Sequence, residues 1–328
     1  MSVKIPNSSF QETHLIIGGT GFIGRHVALA LAQRQISVVL ASRREPQFEF
    51  PKAAAPFIKW EYCDIRQPIW DNFLERVDVV HYYAWDSTPA KAQLDPGQDL
   101  NANVLPLIEL LKSLSDRRNI SKKLLFASSG GTVYGRPEIV PIPETHRLQP
   151  TTAYGAGKVA AETYINFYRS FYGIDCRIAR IANPFGAGQN LDSGQGVATI
   201  FAEKALRGSK ITIWGSGQVV RDFIHVSDLS EALVRYASME RSSVTPDSLN
   251  IASGKGTSVN EIIRELSDLV GHQLDVSYSG ERSYDVPANV LDIANARDLL
   301  NWSPKFTFHE GMERTLIDLV ERSQLSQW

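Results

Sequence analysis

Short apolar runs alternate with longer amphipathic stretches through the first half of the chain. Residues 15–17, 37–41, 57–60, 77–85, 122–129 and 176–181 are rich in branched and aromatic side chains. Such runs predict strands buried on both faces. Between them lie stretches of helical period: 25–32, a segment entered through 100–104 with apolar positions at Leu107, Ile108, Leu110, Leu111 and Leu114, and a helix from about 154 to 172. Strand and helix in strict alternation predict an α/β fold with a doubly wound parallel sheet.

From Asn183 onward the pattern loosens. Helices are expected over 197–206, about 227–237 and 258–270, with strands at 211–214, 221–226 and 250–252. The expected division is a larger α/β unit over 1–181, with contributions from about 222–254, and a smaller C-terminal α/β lobe over 182–328.

Composition narrows the function classes. The chain has 328 residues, is 43% hydrophobic and 21% charged, and carries a net charge of −2. That balance suits a globular protein with a large core and gives no basic surface for nucleic acid. No apolar segment is long enough to span a bilayer, so no membrane partner is expected. Residues 1–12 are polar, without the apolar stretch of a signal peptide, and read as a loose leader. Cys63 and Cys176 are far apart and lack metal-ligand spacing. Buried reduced thiols in a cytoplasmic protein, with no metal, are the expectation.

The first strand opens into Gly18-Gly19-Thr20-Gly21-Phe22-Ile23-Gly24 and then a helix. Gly18 suits the turn, Gly21 a close backbone approach to a pyrophosphate, and Gly24 a helix packed tightly on the strand; the helix N-terminus would face the phosphates. The second strand ends in Ser42-Arg43-Arg44. A carboxylate there would hold a ribose diol and select NAD(H). A hydroxyl with two guanidinium groups suits a 2′-phosphate, so NADP(H) is preferred and NAD(H) remains possible. Tyr154 and Lys158 lie four residues apart on one predicted helix, hence on one face. The ammonium is expected to lower the phenol's pKa and so let Tyr154 move a proton to or from a substrate oxygen. His81 reads as a core histidine.

These motifs resemble the short-chain dehydrogenase/reductase superfamily, whose first glycine gap is one residue longer than in most dinucleotide dehydrogenases. Over nearly the whole chain the resemblance is to its extended members, the nucleotide-sugar epimerase/dehydratase family, with a Rossmann-type fold. It implies Tyr154 and Lys158 as catalytic residues that also contact the cofactor, and a strand-end hydroxyl beside them. Aligning Thr132-Val133-Tyr134-Gly135 puts Gly130 where that hydroxyl belongs, a departure that leaves Ser129, or else Thr132, to supply it. Further cofactor contacts implied are Asp64 with Ile65 at the adenine, Ala84 under the cofactor and Asn103. Asp64 as a helix N-cap is the competing reading, and Tyr83 is bulkier than the family's small residue. Substrate contacts implied are Thr132, Asn183, Arg221 and Arg282, the arginines on a diphosphate. The expected activity is hydride transfer at hexose C4 of a nucleotide sugar, as a 4-keto-sugar reductase or, alternatively, a 4-epimerase. Gly130-Gly131 lacks the extra acid/base of a 4,6-dehydratase. A non-enzymatic NADP(H)-sensing regulator is the distant alternative, set against the presence of both Tyr154 and Lys158. The family's dimers imply a homodimer through Leu107, Leu110, Leu111 and Leu114 with Ile165, Phe167, Tyr168 and Phe171; the competing reading packs them all in one core.

Overall fold

The computed structural model describes residues 12–67, 69–191, 196–241, 245–280 and 286–325. Most of the expected leader, and Arg282, lie outside the described residues. The chain runs β1 (Thr13–Ile17), α1 (Phe22–Ala32), β2 (Ser37–Ser42), β3 (Ile58–Tyr62), α2 (Trp70–Leu74), β4 (Val79–Tyr82), α3 (Pro89–Leu94), α4 (Pro96–Asp99), a π-turn over Leu100–Val104, α5 (Leu105–Leu114), β5 (Lys123–Ser129), α6 (Ala153–Tyr172) and β6 (Asp175–Ile181). Then follow β7 (Asn183–Phe185), α7 (Val197–Leu206), β8 (Ile211–Trp214), β9 (Val220–His225), α8 (Val226–Ser238), β10 (Ser248–Ile251), β11 (Gly256–Ser258), α9 (Val259–Val270), β12 (Val276–Ser279), β13 (Ala288–Asn289), α10 (Ala294–Leu300) and α11 (Phe308–Leu325).

Seven strands form one parallel sheet in the order β10-β6-β5-β4-β1-β2-β3. The order reverses between β1 and β4, which opens a crevice at the carboxyl ends of those strands. Alternate residues of each strand serve opposite faces. Ile16, Leu40 and Leu125 pack under α1 and α8, through Val27, Leu31, Leu229 and Leu233. Leu15, Ile17, Val80 and Phe126 pack under α2, α5 and α6. A second core forms around Phe185, Phe201, Ile213 and Ile262, beneath the small sheets β11-β9-β13 and β12-β8.

One expectation changes here. Leu107, Leu110, Leu111, Leu114 and Ile165 are all 0% exposed, because each reaches the central sheet and leaves nothing for a partner. Of the residues expected at such an interface, Phe167 and Phe171 stay open on the outer side of α6, with Tyr164 and Tyr172 exposed beside them and Tyr168 partly buried against the core. His81 is a core residue, and both thiols are buried and free; burial pushes Cys63 up to about 11 and Cys176 up to about 12.

Candidate active site

A cleft of about 530 Å³ lies over the carboxyl ends of β1, β2, β3 and β4. Its floor is the glycine turn. Gly18 has φ +83°, and a Cβ there would lie 2.8 Å from the Ala84 nitrogen; Gly24 would put a Cβ 2.5 Å from the Gly18 carbonyl. Both positions therefore demand glycine, and α1 sits hard against β1 as a result. Gly21 caps α1 without any side-chain hydrogen bond, so the first N–H groups of the helix are free for an anion. Open backbone, a bare helix N-terminus and a long crevice fit a dinucleotide. Gly18, Thr20 and Gly21 line the cleft, whereas Phe22, Ile23 and Gly24 turn away into α1.

Ser42, Arg43, Arg44, Asp64, Ile65 and Ala84 all line the same cleft. Their side chains are partly committed. The Ser42 hydroxyl donates to the Arg44 carbonyl at 2.7 Å and accepts from Trp60 Nε1 at 3.0 Å. Arg43 pairs across the cleft with Asp86 at 2.8 Å. Arg44 has no side-chain partner among the described residues. Asp64 caps no helix; Arg66 binds it through Nε at 2.9 Å and Nη2 at 2.6 Å, which holds its carboxyl down at about 2. Tyr83 explains how a large residue fits under the cleft. Its ring points into the core, where the hydroxyl meets His81 Nδ1 at 2.7 Å and His81 Nε2 meets His14 Nδ1 at 2.8 Å. Only its backbone approaches Gly18. Asn190, from the segment after β7, closes one side of the cleft, and that segment is tied to α1 where Arg25 and His26 bond the Ala187 carbonyl at 2.9 and 2.8 Å.

Tyr154 and Lys158 stand on the first turns of α6. Thr152 caps this helix by accepting from the Gly155 N–H at 3.1 Å, which fixes where the tyrosine falls. Lys158 Nζ donates to the Ala127 carbonyl at 2.8 Å and lies 3.6 Å from the Trp85 ring centre, 4.9 Å from Phe126 and 5.7 Å from Tyr154. Burial pushes the ammonium down to about 7 against the carboxylates of Asp99 and Glu162. The phenol differs from the sequence expectation. Burial, and then Asp99, raise the Tyr154 pKa, while Lys158 Nζ is held toward Trp85, 5.7 Å from the Tyr154 ring centre.

The strand-end hydroxyls divide. Ser128 is buried and donates to Glu162, itself gripped by Arg180 at 2.8 Å. Ser129 Oγ makes no hydrogen bond among the described residues. A Cβ on Gly130 would lie 2.4 Å from Leu291 Cδ1 and 3.1 Å from the Arg180 carbonyl, so a side chain there would have to displace the buried Leu291. Thr132 Oγ1 is buried without a partner among the described residues, and the Thr132 carbonyl lies 2.8 Å from where Gly155 would place a Cβ. The turn thus rests on the first turn of α6, beside Tyr154.

Asn183 Nδ2 donates to the Asp222 carbonyl at 2.9 Å, and its Oδ1 and Ser129 Oγ each lie 3.9 Å from a Cβ built on Gly131. Arg221 is half-buried and donates to the carbonyls of Val220 and Val286 at 2.9 and 2.7 Å. Asn103 does not line the cleft. It is fully buried and accepts from the Asp86 N–H at 2.6 Å while donating to Asp99 at 2.9 Å, so it reaches the cleft only through the loop after β4. Sequence reasoning missed Trp85, Asp86 and Asp99. The one signal for Asp99 was its i,i+4 spacing from Asn103. No group of histidine, cysteine and carboxylate side chains among the described residues could hold a metal, and no described helix is long and apolar enough to cross a membrane.

A model of the NAD dependent epimerase/dehydratase family matches residues 14–252. The chain is 33% identical over 319 residues to a putative UDP-glucose 4-epimerase of Methanocaldococcus jannaschii, covering 92% of this chain and 96% of that one. It is 30% identical over 308 residues to dTDP-4-dehydro-6-deoxyglucose reductase of Escherichia coli, again covering 92% and 96%. The solved UDP-glucose 4-epimerase of Thermus thermophilus, in complex with NAD, superimposes with a TM-score of 0.83 at 27% identity, over 94% of this chain and 99% of that one.

Proposed function

Because the chain belongs to the NAD dependent epimerase/dehydratase family, we propose that it is a cytoplasmic NADP(H)-dependent nucleotide-sugar oxidoreductase, a 4-keto-sugar reductase working at hexose C4. The observation that carries this reading is that Tyr154 and Lys158 of α6 stand at the end of β5, where Lys158 Nζ donates to the Ala127 carbonyl two residues before Ser129 and lies over the Trp85 ring of the loop after β4. The glycine turn and the free N–H groups of α1 hold the pyrophosphate. Asp64, Ile65 and Ala84 border the adenosine, and the loop fixed by Asn103 shapes the wall. When bound, the nicotinamide supplies the hydride at the sugar carbon. Tyr154, whose raised pKa keeps it protonated at neutral pH, gives its proton to the substrate oxygen. Ser129 orients that oxygen, with Thr132 as the second hydroxyl of the turn. Lys158 neutralises the resulting phenolate. Asn183, Arg221 and Arg282 take the nucleotide diphosphate.

The preference for NADP(H) follows from the guanidinium of Arg44, beside Arg43, at the end of β2. Titration of both reduced cofactors tests it. Arg44→Ala should raise the dissociation constant for NADPH at least about tenfold, as loss of a charged hydrogen bond does, and leave that for NADH unchanged. Equal affinities in wild type would refute the preference. A 4-epimerase is the second reading, favoured by the UDP-glucose 4-epimerase relatives and the NAD of the Thermus structure. Consumption of NADPH with a nucleotide-linked 4-keto-hexose supports the reductase. Interconversion of UDP-glucose and UDP-galactose without added reduced cofactor supports the epimerase instead. We also propose a homodimer formed through the exposed aromatic face of α6, where the Phe167 and Phe171 rings stack on each other.

A further inference from the structure

Asp99 ends α4 and is turned inward, 3% exposed. Its Oδ1 accepts hydrogen bonds from Ser87 Oγ and, at 2.9 Å, from Asn103 Nδ2. Its Oδ2 is equally buried and has no hydrogen-bond partner among the described residues. That oxygen is aimed at α6. A Cβ built on Gly157 would lie 2.7 Å from it and 3.4 Å from the Trp85 ring, so the glycine before Lys158 is what leaves room for the carboxylate. Burying a carboxylate oxygen with no donor is costly unless a charge offsets it.

The charged and titratable groups around Asp99 are few. Tyr154 and Lys158 face it from α6, and Glu162 follows one turn later on the same helix. Glu162 is already held by Arg180 through Nε at 3.2 Å and Nη2 at 2.8 Å. Asp86, paired with Arg43 from the end of β2, stands on the loop that Asn103 fixes, and Lys91 of α3 faces the cleft. Lys158 is therefore the buried cation left for Asp99, and Asp99 is the carboxylate near Lys158 that no arginine neutralises.

We propose that Asp99 is a positioning residue for the proton-transfer pair: its free oxygen is the counter-charge that keeps the Lys158 ammonium charged inside the apolar pocket of Trp85 and Phe126. The inference rests on Tyr154 and Lys158 being that pair. Burial drives Lys158 down to about 7, and the Asp99 carboxylate is the first influence opposing it. The same carboxylate favours the protonated phenol of Tyr154. Its removal lowers both pKa values, since an anion stabilises the proton-bearing form of each neighbour.

The test reads the lysine directly. Protein carrying 15N in its lysine side chains, with the Lys158 signal assigned through Lys158→Met, is titrated by NMR in wild type and in Asp99→Asn. The Lys158 titration should fall by at least about one pH unit in Asp99→Asn. It should stay in place in Ser87→Ala, which removes a hydrogen bond and no charge. An unmoved titration in Asp99→Asn, or an equal shift in Ser87→Ala, overturns the proposal. If Asp99→Asn does not fold, Gly157→Ala serves, because the added methyl forces the carboxylate away and should shift Lys158 in the same direction; no shift there overturns it equally. The titration needs no substrate, so a protein that turns over none of the sugars above refutes the reductase reading while Asp99 is judged by Lys158 alone.

Discussion

Replacement of Glu162 by Gln isolates one buried charge behind the site. Glu162 is 1% exposed and Arg180 6%. Arg180 gives it three hydrogen bonds, through Nε to both oxygens at 3.2 Å and through Nη2 at 2.8 Å, and Ser128 adds a fourth. Arg180 keeps only the Tyr134 hydroxyl at 3.1 Å and the Glu144 carbonyl at 2.9 Å if the carboxylate is lost. Neither carries a charge. Gln is isosteric, so no cavity opens and the cost is that of an unneutralised buried guanidinium, about 3–5 kcal/mol. The pair ties α6 to β5 and β6, and the site stands on the same turns. Urea unfolding, with the slope checked against wild type, measures the loss. The double variant Glu162→Leu with Arg180→Met should recover most of it, because an apolar pair has no charge to strand. A loss below about 1 kcal/mol in Glu162→Gln would refute the reasoning, since it would mean that Arg180 is solvated in the folded state.

Three further outcomes are expected. Tyr154→Phe removes the proton donor at nearly constant volume, so turnover should fall at least about a hundredfold with an unchanged unfolding midpoint, and near-wild-type turnover would remove Tyr154 from the chemistry. Burial holds His26 and His225 at about 4, below the ordinary 6.5. The unfolded chain therefore binds protons between those values that the folded chain refuses. Stability is full above about 6.5 and falls as pH drops toward 4, and His26→Gln should flatten that slope in urea midpoints measured across the range. Light scattering at micromolar concentration should give a dimer mass, and Phe167→Ser with Phe171→Ser, which replace residues 50% and 72% exposed, should give a monomer; a monomeric wild type would sink the assembly.

The alternation of apolar runs and helical periods by itself determined the parallel sheet, because buried strands and amphipathic helices can satisfy their apolar faces in few other ways. The glycine turn and the Tyr154–Lys158 spacing were equally legible, since each depends on neighbours within a few residues. The direction in which an apolar helix face packs was not. Leu107 to Leu114 read equally well as a surface for a second copy, and only the sheet above them decided otherwise. Gly130 looked like a missing hydroxyl until Leu291, far along the chain, proved to occupy the space. The phenol's pKa went the other way from the local expectation, because desolvation and Asp99 act through space and not along α6. Period and spacing are properties of contiguous residues. Steric room and the charge felt by a buried group are set by whatever distant segment packs against it, and that is known only once the chain has folded.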